Sequence, residues 1–156
     1  MLEEYCIPVA HASRGTFSPA LARRGEAALA AETASPFNLF ARLIGPGLGQ
    51  AAMRLAYGQA SVDLSRTAVA LERCRLARGA FPEALDALSP QFIAKVPLDV
   101  IGGQPLKYRR TPEGSFVLYS VGWNETDYGG VAGFDKEGAV DLQSGDWIWR
   151  CAGKAE

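Results

Sequence analysis

The most regular hydrophobic pattern lies between Leu48 and Arg78, 31 residues with no proline and only two glycines, Gly49 and Gly58. At helical spacing, Leu48, Leu55, Val62, Val69 and Leu76 form one apolar stripe, and Tyr57, Leu64 and Leu71 form a second nearly opposite. The pattern predicts a helix from about residue 48 to 78, roughly 46 Å long, with Gly79 as its C-cap. A helix resting on one sheet needs only one apolar stripe. Two stripes call for a second cover, and residues 18–44 are the available one, packing on the Tyr57, Leu64, Leu71 side. The sevenfold spacing of the first stripe also suits a coiled coil. Arg66 and Arg73 beside it favour a helix buried within its own domain instead.

Upstream, Met1 to Thr16 carries no periodicity. Ser18-Pro19 is an N-cap followed by proline at the first helical position, which starts a helix running to about Thr33. Ser35-Pro36 repeats that signal for a short helix ending at Gly45-Pro46-Gly47. Downstream, Phe81-Pro82 opens a short helix through Leu88 that Ser89-Pro90 closes. Pro105–Arg110 and Ser115–Val121 alternate as strands about the turn Thr111-Pro112-Glu113-Gly114. Asp146–Arg150 reads as a third strand with Trp147 and Trp149 on one face, after a long Gly-rich acidic loop, Gly122–Gly145.

The fold class is therefore α+β: a long helix packed on an antiparallel sheet of three or four strands. The expected division is an irregular and helical N-terminal extension, 1–47, packing on the long helix, and an α+β domain, 48–156. Leu55, Val62, Val69, Leu85, Leu88, Ile93, Val117, Tyr119 and Trp147 are the expected core.

Composition supports one ordinary globular domain: 156 residues, 48% hydrophobic and 21% charged. The longest stretches without a charged residue are eleven residues, Leu43–Met53 and Gly114–Asn124, against the roughly 20 apolar residues of a spanning helix. No membrane segment is expected, and Glu3 and Glu4 occupy the place of a signal peptide's basic region. The net charge of -1 is uneven: residues 1–78 carry +3 and residues 79–156 carry -4. Neither half has the Lys/Arg face of a nucleic-acid binder.

Cys6, Cys74 and Cys151 include no C-x-x-C pair, and with only His11 available a zinc site is not expected. Cys6 and Cys151 pair only if the termini meet; otherwise all three are structural thiols. No catalytic residues are assigned. The chain lacks a nucleophile elbow, a dinucleotide fingerprint and a phosphate loop, and in Gly45-Pro46-Gly47-Leu48-Gly49 the proline removes an amide donor. Arg73, Arg75 and Arg78 offer a weak partner-binding cluster, or simply complement a helix C-terminus. Trp123, with Trp147 and Trp149, is either part of an aromatic platform or a cap on a small sheet. Within 113–146 seven acids face only Lys136, a segment that suits either solvated turns or a hard cation.

The order of landmarks from Leu71 to Trp147, about half the chain, resembles the soluble part of the major pseudopilin of bacterial type II secretion. Leu71-Glu72-Arg73-Cys74-Arg75-Leu76-Ala77-Arg78-Gly79 is followed by Phe81-Pro82 and Leu85-Asp86-Ala87-Leu88. Phe92 to Asp99, Gly103 to Tyr108, Phe116 to Gly122, an acidic Gly-rich loop and Gly145-Asp146-Trp147 complete the series. Two departures stand out: the position of Cys74 is usually aromatic in that family, and Met1–Gln50 shows neither the processed leader nor the hydrophobic anchoring helix. The resemblance implies a non-enzymatic structural or interaction domain of the general secretion pathway protein G type. It implies an extracytoplasmic place in the cell envelope, within a longer membrane-anchored protein, with protein partners or self-association. It also implies a calcium ion held in the loop. Asn124 stands where that family has an acidic ligand; Asp127, Asp135 and Asp141 supply the charge, and the Val121 carbonyl another oxygen. The alternative is a ligand-sensing or regulatory binding domain on the same fold, with an enzyme third.

Overall fold

The computed structural model describes residues 10–11, 15–32 and 39–149. Thr16–Phe17 (β2) pairs antiparallel with Ala10–His11 (β1). Helix α1, Pro19–Glu32, follows. Its start agrees with the sequence: the Leu21 N–H donates to the Ser18 hydroxyl at 3.4 Å, with proline at the first position, where no intrahelical donor is needed. The Ser35-Pro36 start signal, Cys6 and Cys151 lie outside the described residues.

Helix α2 spans Leu39–Arg78, 40 residues and about 60 Å. The expected break at Gly45-Pro46-Gly47 does not occur. An interior proline costs about 3 kcal/mol and each glycine about 1, and tertiary packing, here of α1 on α2, is what offsets such propensity costs. Gly49 lies beside the Glu26 side chain of α1. The helix ends as predicted, with Gly79 at φ 79° and its N–H on the Arg75 carbonyl at 2.8 Å.

Beyond it come a short 3-10 helix, Leu85–Leu88, and strands β3, Lys107–Arg110, and β4, Phe116–Ser120. These are joined by the predicted Thr111–Gly114 turn, in which the Thr111 N–H reaches the Ser115 carbonyl at 3.0 Å. Strand β7, Trp147–Trp149, pairs with the other edge of β4, giving a three-stranded antiparallel sheet of order β3-β4-β7. The segment expected to be one long loop instead contains a hairpin, β5, Ala132–Phe134, and β6, Val140–Gly145. The α+β class with one long helix and small antiparallel sheets is thus the observed architecture.

The faces of α2 are the main correction. Leu55, Val62, Val69 and Leu76, the stripe expected in the core, are 67%, 51%, 59% and 75% exposed. The buried face is Met53, Ala56, Ala60, Leu64, Thr67, Leu71 and Cys74, at spacings of three and four. This face is wider than a stripe of one residue per two turns, and its alanines admit bulky side chains from the sheet. Trp147 packs with Met53, Ala56 and Ala60, while Leu64, Leu71 and Cys74 pack with Phe81, Leu88, Phe116 and Leu118. Leu64 and Leu71 are therefore covered by the sheet and its approach loop. Tyr57 stays 37% exposed and sets its ring edge-on to Trp147 at 5.4 Å. Of the other expected core residues, Leu85, Leu88, Tyr119 and Trp147 are buried, and Ile93 and Val117 are half-buried.

Candidate functional site

Two regions concentrate polar chemistry: the loops before β3 and after β4, and the C-terminal end of α2. In the first, two carboxylates are buried and wholly engaged with the protein's own donors. Asp99 Oδ1 accepts the Ile101 N–H at 2.9 Å and the Ser120 hydroxyl at 2.7 Å, and Oδ2 accepts the Val121 N–H at 3.1 Å. Burial raises the Asp99 pKa above the ordinary value, against the opposing pull of these hydrogen bonds. Asp146, 2% exposed, accepts N–H groups from Tyr128, Gly130 and Val131. One carboxylate therefore gathers three amides of residues 128–131 onto the start of β7. Both residues fall among the landmarks of the sequence, which assigns neither of them a role; Gly145 immediately before Asp146, at φ 70°, marks a tight approach.

Asp127 lies closer to solvent. Its Oδ1 accepts the Tyr119 hydroxyl at 3.0 Å and the Gly129 N–H at 2.9 Å, and its Oδ2 lies 3.2 Å from Lys107 Nζ. The Gly129 N–H, then the Tyr119 hydroxyl, hold the Asp127 carboxyl below the usual range. Burial, followed by this bond to the carboxylate, pushes Tyr119 up to about 12.

The other residues assigned to calcium are spread along the loop. Asn124 Oδ1 accepts the Thr126 N–H at 3.1 Å in a local turn. Asp135 Oδ1 accepts the Glu137 and Ala139 N–H groups at the β5–β6 turn, and Asp141 binds the Gln143 N–H and the Ser144 hydroxyl. Val121 is tied through its N–H to Asp99. Among the described residues no three His, Cys, Asp or Glu side chains come together around a common point. As arranged, the donor set does not fit calcium, which takes six to eight oxygens. A cleft of 710 Å³ opens beside these residues, lined by Asp99, Gln104, Lys107, Tyr108, Glu125 and Asp127. Its carboxylates all have partners, that of Glu125 being Arg23 at 2.9 Å.

On the second region, Arg73 donates to the Phe92 carbonyl at 3.1 Å. Arg75 pairs with Glu72 at 2.8 Å and lies over the Phe81 ring, and Arg78 reaches Gln91 and lies over Phe92. The three guanidiniums are thus held at the end of α2 by ring faces, one carboxylate, one main-chain carbonyl and one side-chain amide oxygen. The tryptophans form no platform: Trp147 is buried, Trp123 packs against the same core cluster, and Trp149 packs against the other.

No protein-family model, curated protein or solved structure matches the chain. Among the described residues no helix is long and apolar enough to cross a membrane.

Proposed function

We propose that the chain is a non-enzymatic structural or interaction domain, organised like the soluble part of a type II secretion major pseudopilin. On this reading it works outside the cytoplasm within a longer membrane-anchored protein; the landmark order from Leu71 to Trp147 is the ground for the anchor and the location. The observation that carries the interaction role is the division of α2 into a buried inner face and an outer face with Leu55, Val62, Val69 and Leu76 in solvent. Exposed apolar side chains aligned along one element mark interaction surfaces more often than isolated ones do. The buried carboxylates support the same reading, because their hydrogen bonds are spent on holding loops.

The test is photo-crosslinking in the native cell, with a photoreactive side chain placed singly at the exposed positions Leu55, Leu98 and Val140. Protein adducts in the envelope fraction are expected at one or more of them. Absence of any adduct, together with a raised melting point in the presence of a small-molecule fraction, would replace this reading with the sensor alternative.

A further inference from the structure

Between Gln50 and Arg78, the exposed charged side chains of α2 are Arg54, Arg66, Arg73, Arg75 and Arg78, every one an arginine. The acids of the same stretch are withdrawn: Asp63 is buried, and Glu72 is half-buried and paired with Arg75. Leu55, Val62, Val69 and Leu76 run at intervals of seven, a seam of about 31 Å, with Arg54 on one side of it and Arg66 and Arg73 on the other; Arg75 and Arg78 turn away from it, over Phe81 and Phe92. The positions three residues on from Leu55 and Val62 are Gly58 and Ser65, small enough for another backbone to approach closely. Beside Val69 a groove of 330 Å³ is lined by Ser65, Arg66, Arg73, Phe92 and Ile93, a recess for an incoming side chain.

We propose that this face docks an acidic amphipathic helix of a partner protein, with apolar residues at heptad spacing flanked by carboxylates. The proposal rests on the interaction-domain reading and names the chemistry of the partner. Charge decides among occupants. Two α2 faces brought together would oppose arginine to arginine, whereas a Glu-flanked helix neutralises them. A lipid surface is a poorer fit. Interfacial helices present a broad apolar face, often with Trp or Phe, whereas this seam is one residue wide and carries only Leu and Val. Heptad spacing matches the knobs of another helix and has no counterpart in a bilayer.

The experiment uses the full chain and two synthetic four-heptad peptides, both with Leu at the seam, one flanked by Glu and the other by Lys. Fluorescence anisotropy should show at least tenfold tighter binding to the Glu peptide, with a further loss of tenfold or more between low and high salt. A Val62→Asp/Val69→Asp variant, altered only at exposed positions, should keep its melting point and lose at least tenfold in affinity. An Arg54→Glu/Arg66→Glu variant should reverse the preference to the Lys peptide. Equal binding of the two peptides, or no binding of either, overturns the proposal. So does sedimentation with phosphatidylserine vesicles in place of peptide binding, or a wild-type dimer that Val62→Asp/Val69→Asp dissociates. If the peptides fail while crosslinks form at Val140, the interaction-domain reading stands and the α2 surface falls.

Discussion

The N–H of Gly130 donates at 2.7 Å to the carboxylate of Asp146, sixteen residues further along the chain. The same carboxylate accepts the N–H groups of Tyr128 and Val131, so one buried acid replaces the solvent those amides would otherwise need. Asp146→Ala should destabilise the fold by about 2–3 kcal/mol, since several amides lose their acceptor together. Asp146→Asn should be milder, keeping one oxygen but turning an amide donor toward an N–H. Urea unfolding of both variants checks the order.

The two faces of α2 predict opposite outcomes for the same chemical change. Leu71→Ala, at a site with no exposed surface, should cost about 2–5 kcal/mol by leaving a cavity under the sheet. Leu55→Ala, 67% exposed, should stay within about 0.5 kcal/mol of wild type. Melting both variants side by side tests which stripe is the core.

Asp99 and Asp127 should respond to pH in opposite senses. The folded pKa of Asp99 is raised by burial, so its contribution is full below the ordinary carboxylate value and is lost as pH rises through the folded one. Asp127 is depressed by its hydrogen bonds, so its contribution is present above the ordinary value and lost as pH falls through the folded one. Carboxyl chemical shifts titrated by NMR should place Asp99 above, and Asp127 below, their unfolded counterparts. The stability advantage of wild type over Asp99→Asn should shrink as pH rises across that window.

Gly145 and Gly138 both adopt positive φ, 70° and 82°, yet only one is crowded. A Cβ on Gly145 would press on the backbone of Val131, Ala132 and Gly133, while at Gly138 nothing lies within 4 Å. Gly138→Ala should cost about 1–2 kcal/mol, the backbone penalty alone. Gly145→Ala should cost at least about 2 kcal/mol more, because main-chain atoms must move.

Millimolar calcium should leave the melting point unchanged, because Asp127, Asp135 and Asp141 are separately engaged by local donors. A ligand that bound only the folded state would raise the midpoint. A rise of several degrees over a chelator control would mean that the loop regroups these carboxylates.

Where local chemistry determines structure, the sequence is readable. Ser18-Pro19 starts α1, Thr111–Gly114 turns β3 into β4, Gly79 ends α2, and Trp147 begins the strand that completes the sheet. Features settled by tertiary contact are not. Two stripes on α2 offered two possible inner faces, and the choice fell to alanines whose small volume admits Trp147, a fit visible only once the sheet is in place. Pro46 reads as a stop because propensity opposes helix there, yet α2 runs through it in a fold where α1 packs on the helix. The β5–β6 hairpin has an irregular register between Ala132 and Phe134, which breaks the alternation that marks a strand. Asp99 and Asp146 carry no assigned role in the sequence, because composition says nothing about which carboxylates find amide donors. The arginines at the end of α2 were visible as a cluster; that no exposed acid accompanies them became clear only from burial.

The placement of β7 also bears on the birth of the molecule. Strand β4 lies between β3 and β7, and Trp147 fits against Met53, Ala56 and Ala60 near the middle of α2. During synthesis the inner surface of that helix therefore emerges many residues before the tryptophan that seals it. Only when residues 147–149 clear the ribosome can this half of the core close, so folding here finishes after release of the strand rather than advancing smoothly with elongation. Until then Met53 and its neighbours remain open to any chaperone that binds apolar helices.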